Sequence, residues 1–300
     1  MSAGGPKVIS IILLLLCIPP LSTAQTLDIT GEVSWETMNI NATVVLNLNF
    51  AGIKLPTGRA QAEEMISTEY PRLVRPTILS IPVDSSSTVK DLIDQGEFTL
   101  QQVGSIALSA RRIPPALSTD LASLTASLSI DLTRIGAGLI RHSRPADIIR
   151  PLRPLPAAAY TGIIILAAEP LPIHGRNTGS LVLPCLFPKI WDTEMNLIYN
   201  RNMMNIDTAR QSGMVRYVTE SSVFRPTPSG LSPELEVLVG NNPLRIFARE
   251  VYGSRPTDPV IDRADALTIL SSETNLRLLR EGRVALMVNA GVLKSPLVYD

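Results

Sequence analysis

From Ile40 onward the chain alternates. Ile40, Ala42, Val44, Leu46, Leu48 and Phe50 share one parity, while Asn39, Asn41, Thr43, Asn47 and Asn49 take the other, with Val45 the exception. Period two with β-branched residues predicts a half-buried strand whose asparagine face is wet. The preceding EVSWET either extends that strand or forms its hairpin partner. After Lys54-Leu55-Pro56-Thr57-Gly58 the period changes: Ala60, Ala62, Ile66, Tyr70, Leu73 and Val74 recur at helical spacing. Pro71 is expected to open a second helical piece, because proline suits a first turn and breaks an interior. In SSSTVKDLIDQG, Ser87 is expected to cap a helix that Gly96 stops. EFTLQQVGSIALSARR reads as another helix, closed by Ile113-Pro114-Pro115.

Leu124, Ala126, Leu128, Ile130 and Leu132 alternate again and predict a second strand. TGIIILAA (161–168) is continuously apolar, which predicts a strand covered on both faces. SLVLPCLFPKI is expected to be a strand in which Cys185 shares a face with Leu181, Leu183 and Phe187, followed by a turn at Asp192–Asn196 and the piece NLIY. Farther on, MVRYVT, PLRIFAREVYG and RVALMVN read as strands. DRADALTILSSETNLRLLREG reads as one helix stopped by Gly282. The order predicts an α+β fold, a mostly antiparallel sheet with helices packed on one face. The expected organisation is a leader over 1–24, a main α+β domain over 25–205 and a C-terminal α+β portion over 206–300 that packs on the same sheet.

The leader reading rests on Lys7, the apolar run Val8–Leu16 broken only by Ser10, a Pro-Pro break, and Ser22-Thr23-Ala24. These are the cationic, apolar and small-residue parts of a secretory signal peptide, with cleavage expected between Ala24 and Gln25. The alternative makes Cys17 a lipid-bearing residue, although L-L-L-C has no small residue just before the cysteine. No later run is long enough for a transmembrane helix in the mature chain. The expected location is the periplasm or cell envelope.

Composition narrows the function classes. Apolar residues are 45% of 300 and charged ones 18%, enough for a large core. The 27 basic and 27 acidic residues balance, so no nucleic-acid partner is expected, since phosphate neutralisation needs a basic face. The arginines Arg141, Arg144, Arg150 and Arg153 do cluster, in the proline-rich RHSRPADIIRPLRP. That stretch reads as a solvated loop or as a patch for an anionic partner.

Candidate chemistry is thin. Cys185 sits in an apolar run and is expected to pack as a small hydrophobe rather than act as a thiolate nucleophile. His174 belongs to a Pro/Gly-rich turn and His142 to the arginine cluster, where it is expected to face solvent. Neither offers metal-ligand spacing. Glu63-Glu64 are adjacent on a helix and point apart, and Asn41-Ala42-Thr43 is a glycosylation sequon inside a predicted strand. No catalytic residue, cofactor or metal ligand is expected. A hydrolase or ligand-binding protein without a linear motif stays open as an alternative.

The segment Tyr160–Tyr199 runs Y-T-G-I-I-I, a Gly/Asn turn, L-V-L-P-C-L-F-P-K-I-W-D and L-I-Y. It resembles exported bacterial proteins related to the N-terminal domain of flagellar assembly protein T and to LPP-type envelope lipoproteins. The helix beginning G-R-A-Q-A-E-E and the closing R-V-A-L-M-V resemble the same family. The resemblance implies a non-enzymatic envelope protein that works through contacts with other envelope or flagellar proteins. The helical stretch Pro71–Arg112 and the Arg141–Pro156 excursion depart from its pattern.

Overall fold

The computed structural model describes residues 26–299; the expected leader, with Cys17, Ala24 and Gln25, lies outside them. Strands β1 (Leu27–Ser34) and β2 (Asn39–Asn47) form an antiparallel hairpin. Ile40, Ala42, Val44, Leu46 and Leu48 are buried as the alternation requires. Phe50 departs from it at 64% exposure, because the strand ends at Asn47 and the chain turns after Leu48. Helix α1 (Arg59–Ser80) is continuous through Pro71 and Pro76, contrary to the expected break. Ala62, Ile66, Tyr70, Val74 and Ile78 bury one stripe along its whole length, and that packing outweighs the hydrogen bonds the prolines cannot make.

Helix α2 (Val89–Asp94) is capped by Thr88 rather than Ser87: the Thr88 hydroxyl and the Asp91 carboxylate form a capping box. Helix α3 (Leu100–Leu108) carries the same device at Thr99 and Gln102. Two short strands, β3 (Arg111–Arg112) and β4 (Ala116–Leu117), and the long β5 (Ser123–Asp131) complete the first antiparallel sheet, followed by α4 (Thr133–Leu139).

After an irregular stretch comes β6 (Ile163–Ala167), every residue buried. A small ladder joins β7 (Leu171–Pro172) to β8 (Gly179–Ser180), and β9 (Ile190–Asp192) turns back into β10 (Leu197–Tyr199). Helix α5 (Ile206–Ser212), β11 (Arg216–Val218), α6 (Glu220–Val223) and α7 (Pro233–Val239) lead to β12 (Leu244–Tyr252) and β13 (Asp258–Ile261). The expected single late helix is two, α8 (Arg263–Leu270) and α9 (Glu273–Arg280), split at Ser271-Ser272. Strand β14 (Val284–Val288) follows, and β15 (Lys294–Pro296) returns to the first sheet beside β1.

The two large sheets run β15–β1–β2–β5–β3, with β4 also on β5, and β10–β9–β13–β12–β6–β14–β11. Most pairings are antiparallel, and the class is α+β as expected. Inside the second sheet, however, β12, β6, β14 and β11 pair with one another in parallel, as do β13 and β9, while β12 and β13 are antiparallel. That sheet takes strands from both sides of residue 205. Its centre is covered twice. Ile163, Ile165, Val284, Leu286 and Val288 face a core shared with the first sheet, while Ile164, Leu166, Ala285 and Met287 face Val223, Leu235 and Val239 of α6 and α7. Gly162 lets β6 begin there: a Cβ on it would stand 2.4 Å from the Val239 Cα. The C-terminal segment ties the sheets together. Trp35 N–H donates to the Leu293 carbonyl (2.9 Å), and Thr77 Oγ1 donates to the Val298 carbonyl (3.2 Å) and accepts from its N–H (3.0 Å).

Candidate functional site

The segment around Cys185 is not a strand. Pro184 and Pro188 remove two N–H donors, and the remaining ones do not form a ladder: Leu183 donates to the Pro256 carbonyl, Cys185 to the Tyr217 hydroxyl, Leu186 to the Pro82 carbonyl and Phe187 to the Val83 carbonyl. Alternation fails accordingly, with Val182, Cys185, Leu186 and Phe187 buried and Leu183 exposed. The Tyr217 hydroxyl accepts the Cys185 N–H and donates to its carbonyl, both at 2.9 Å. Burial first, and then the charge of Asp258, pushes the Cys185 thiol well above its ordinary pKa. A nucleophilic cysteine needs the opposite shift. His174 is turned elsewhere, its Nδ1 2.6 Å from Glu250 Oε2 and its ring edge-on to Tyr252. His142 is half-buried rather than solvent-facing, with Nε2 3.1 Å from the Met204 carbonyl. Among the described residues, no group of three or more His, Cys, Asp or Glu stands where it could hold a metal ion, and no helix is long and apolar enough to cross a membrane.

Two buried aspartates stand behind a groove on the other side of this segment. Asp258, at the start of β13, accepts from Lys189 N–H (3.1 Å), Thr257 Oγ1 (2.9 Å) and Trp191 Nε1 (3.4 Å). Burial raises its pKa despite those donors. Asp192, at the end of β9, accepts from Glu194 N–H (3.0 Å), Asn196 N–H (2.8 Å) and Arg263 Nη1 (2.6 Å). Burial would raise its pKa too, but the Asn196 side chain and backbone and the Arg263 guanidinium outweigh it and hold the carboxyl below its usual value. Asp258 therefore fixes the indole of Trp191, and Asp192 fixes the guanidinium of Arg263, each from behind the surface. Sequence reading placed a turn at Asp192–Asn196 and missed both carboxylate roles, because their donors come from residues up to seventy positions away.

Trp191 and Arg263 wall a groove of about 770 Å³, floored by Ile198, Leu267 and Leu270. Its far wall is the proline-rich segment expected to be a loop, and it crosses the surface as a strap. Ala146 N–H donates to the Asn202 carbonyl (2.6 Å), Ile148 is buried, and Arg150 pairs with Glu273. Leu155 N–H reaches Ser271 Oγ (3.0 Å), and Asn275 brackets the end through the Ala158 carbonyl (3.0 Å) and the Tyr160 N–H (3.1 Å). Between these anchors Ile149, Leu152 and Leu155 stand exposed, Ile149 at 80%. Of the four clustered arginines, only Arg150 and Arg153 line the groove. Arg141 donates instead to the Glu97 carbonyl, and Arg144 lies outside on the exposed approach. The groove thus offers apolar side chains with interspersed guanidiniums.

Two family models match the chain. Residues 26–138 match that of the N-terminal domain of Treponema pallidum Tp0624, and residues 162–290 match that of its second domain. The first match spans the strands of the antiparallel sheet up to α4, and the second spans the mixed sheet. The strap lies between the two matched stretches. These matches show a bacterial family of uncertain function and do not show the flagellar assembly protein T or LPP-type families that Tyr160–Tyr199 resembles. No curated protein matches the chain.

Proposed function

We propose that this chain is a non-enzymatic bacterial protein, exported to the periplasm or envelope, that works by holding another envelope protein at the strap groove. The observation that carries this reading is the strap. Two large apolar side chains, Ile149 and Leu152, are held in water by a tethered backbone beside Arg150, Arg153 and the braced Trp191 and Arg263, and Leu155 stands exposed farther along the same strap. Exposing leucines on an anchored segment is unfavourable unless they are covered in use. Aromatic and arginine side chains at the rim are the residues that dominate interface energetics. The guanidiniums favour a partner segment that is apolar and carries acidic residues. Export is supported by the Lys7, Val8–Leu16 and Ser22-Thr23-Ala24 pattern, and a flagellar or outer-envelope assembly role by the resemblance of Tyr160–Tyr199.

The test is chemical cross-linking in intact envelopes, then mild solubilisation and recovery of the chain. A discrete complex is expected from wild type and from Val237→Asp, which changes an exposed residue of α7, and it is expected to vanish in Leu152→Asp/Leu155→Asp. No complex from wild type, or the same complex from the double variant, contradicts the reading. Mass spectrometry of the mature N-terminus is expected to begin at Gln25. A diacylated Cys17 would replace free export with a lipid anchor.

A further inference from the structure

A second cavity lies at the seam between the two sheets, away from the strap. It holds about 430 Å³ and is lined mostly by polar atoms. Three arginines from separate elements line it: Arg111 from β3, Arg134 from α4 and Arg216 from β11. Arg111 stands opposite Ser129 in the antiparallel ladder, and Arg216 opens the edge strand of the mixed sheet. The cavity exists only because both sheets are in place.

Many of the other arginines have protein acceptors. Arg59, Arg72, Arg150, Arg249, Arg255, Arg263, Arg277 and Arg280 hold carboxylates, and Arg112 and Arg210 donate to Ser67 and to the Ile140 carbonyl. Among the described residues, Arg111, Arg134 and Arg216 have no such ion pair, as is also true of the scattered Arg75, Arg144, Arg153 and Arg176; what sets these three exposed arginines apart is that they line one cavity. Asp131 also lines the cavity, but its Oδ1 already accepts from Thr133 N–H (2.8 Å) and Thr133 Oγ1 (2.6 Å). Three guanidiniums against one engaged carboxylate leave a net positive cavity, and like charges brought together this way repel.

We infer that this cavity binds a phosphate monoester carried on a hydroxyl-rich body. A carboxylate has two oxygens and is filled by two guanidinium forks, whereas a phosphate offers three oxygens to three forks. The cavity is far larger than one phosphate, and its remaining lining, including Ser109, Ser129 and Gln211, supplies hydroxyl and amide partners. The ligand chemistry is shared by a free sugar phosphate and by a lipid headgroup ending in a phosphate monoester.

Two titrations of the full chain separate those sources. Isothermal titration calorimetry with glucose 6-phosphate tests the soluble one. Co-sedimentation with phosphatidylcholine vesicles, with and without phosphatidylinositol 4-phosphate, tests the lipid one. Saturable one-site binding in at least one arm is expected. Each of Arg111→Gln, Arg134→Gln and Arg216→Gln should weaken it roughly tenfold or more, from the loss of hydrogen bonds to a charged group. Arg176→Gln, an exposed arginine outside the cavity, should leave it unchanged. Asp131→Asn removes the like charge facing the ligand and should tighten it, a readout that loss of fold cannot imitate. Binding in neither arm, binding that survives the three arginine variants, or no tightening in Asp131→Asn overturns the inference.

Discussion

The antiparallel sheet and the mixed sheet bury their strands in different ways. In β2 and β5 alternate residues are buried, and the residues between them keep partial contact with water. In β6 and β14 every residue is buried, because α6 and α7 cover one face while the shared core covers the other. The first pattern makes adjacent positions unequal; the second makes them equivalent. One face of the antiparallel sheet is therefore tolerant of change, and the centre of the mixed sheet has no tolerant face.

The largest expected effects test that contrast. Ile164→Asp and Ile165→Asp each place an unpaired carboxylate in a closed core, on opposite faces, and each should destabilise by more than about 4 kcal/mol. In β2 the two faces should split. Val44→Asp is expected to be as damaging, and the exposed Asn41→Thr to stay within about 0.5 kcal/mol. Denaturant unfolding of the four variants checks this. Tolerance of Ile164→Asp would mean that α6 and α7 do not close that face.

A smaller effect separates two carboxylates within the mixed sheet. The folded-state pKa of Asp192 is depressed, so its contribution is present above the unfolded value of about 3.9 and lost as pH falls through the lower folded value. Asp258 is raised, so its contribution runs the other way: full below about 3.9, and lost as pH rises through the folded value. Thermal unfolding between pH 3 and 7 should show Asp192→Asn losing a rise in stability with pH, and Asp258→Asn losing a fall. Matching profiles for the two variants would contradict the assigned surroundings.

Next come the capping boxes that border the antiparallel sheet. Thr88→Ala and Thr99→Ala should each cost about 1 kcal/mol by chemical denaturation, since each orphans a first-turn N–H. The smallest effect belongs to Lys294–Glu32, which joins β15 to β1 at 2.7 Å between exposed side chains. Lys294→Ala should have only a small effect on stability, and a salt-dependent one. A larger loss would mean that the pair, rather than the backbone ladder, holds the closing strand.

The same contrast explains what could be read in advance. The alternation of Ile40–Leu48 and Leu124–Leu132 is a local signal and located β2 and β5 to within a few residues. The unbroken run in 161–168 correctly indicated a strand buried on both faces. It could not show that β6 lies parallel to β12 and β14, because pairing partners some 80 and 120 positions away leave no periodic trace. The prolines misled in both directions: Pro71 does not break α1, while Pro184 and Pro188 do prevent a strand around Cys185. Burial of Cys185 was legible from its apolar neighbours. The arginine cluster identified the strap, yet only Arg150 and Arg153 reach the groove. Trp191, Arg263 and the aspartates that brace them are assembled by topology alone.

The functional account depends on Leu152 being covered when the protein is at work. A photo-cross-linking amino acid placed at Leu152 in the producing cells tests this most directly, with the exposed Val237 as control. One discrete adduct from position 152, lost when Arg150 and Arg153 are changed to glutamate and absent from position 237, is the predicted result. No adduct at 152, or the same adducts at both positions, would contradict it.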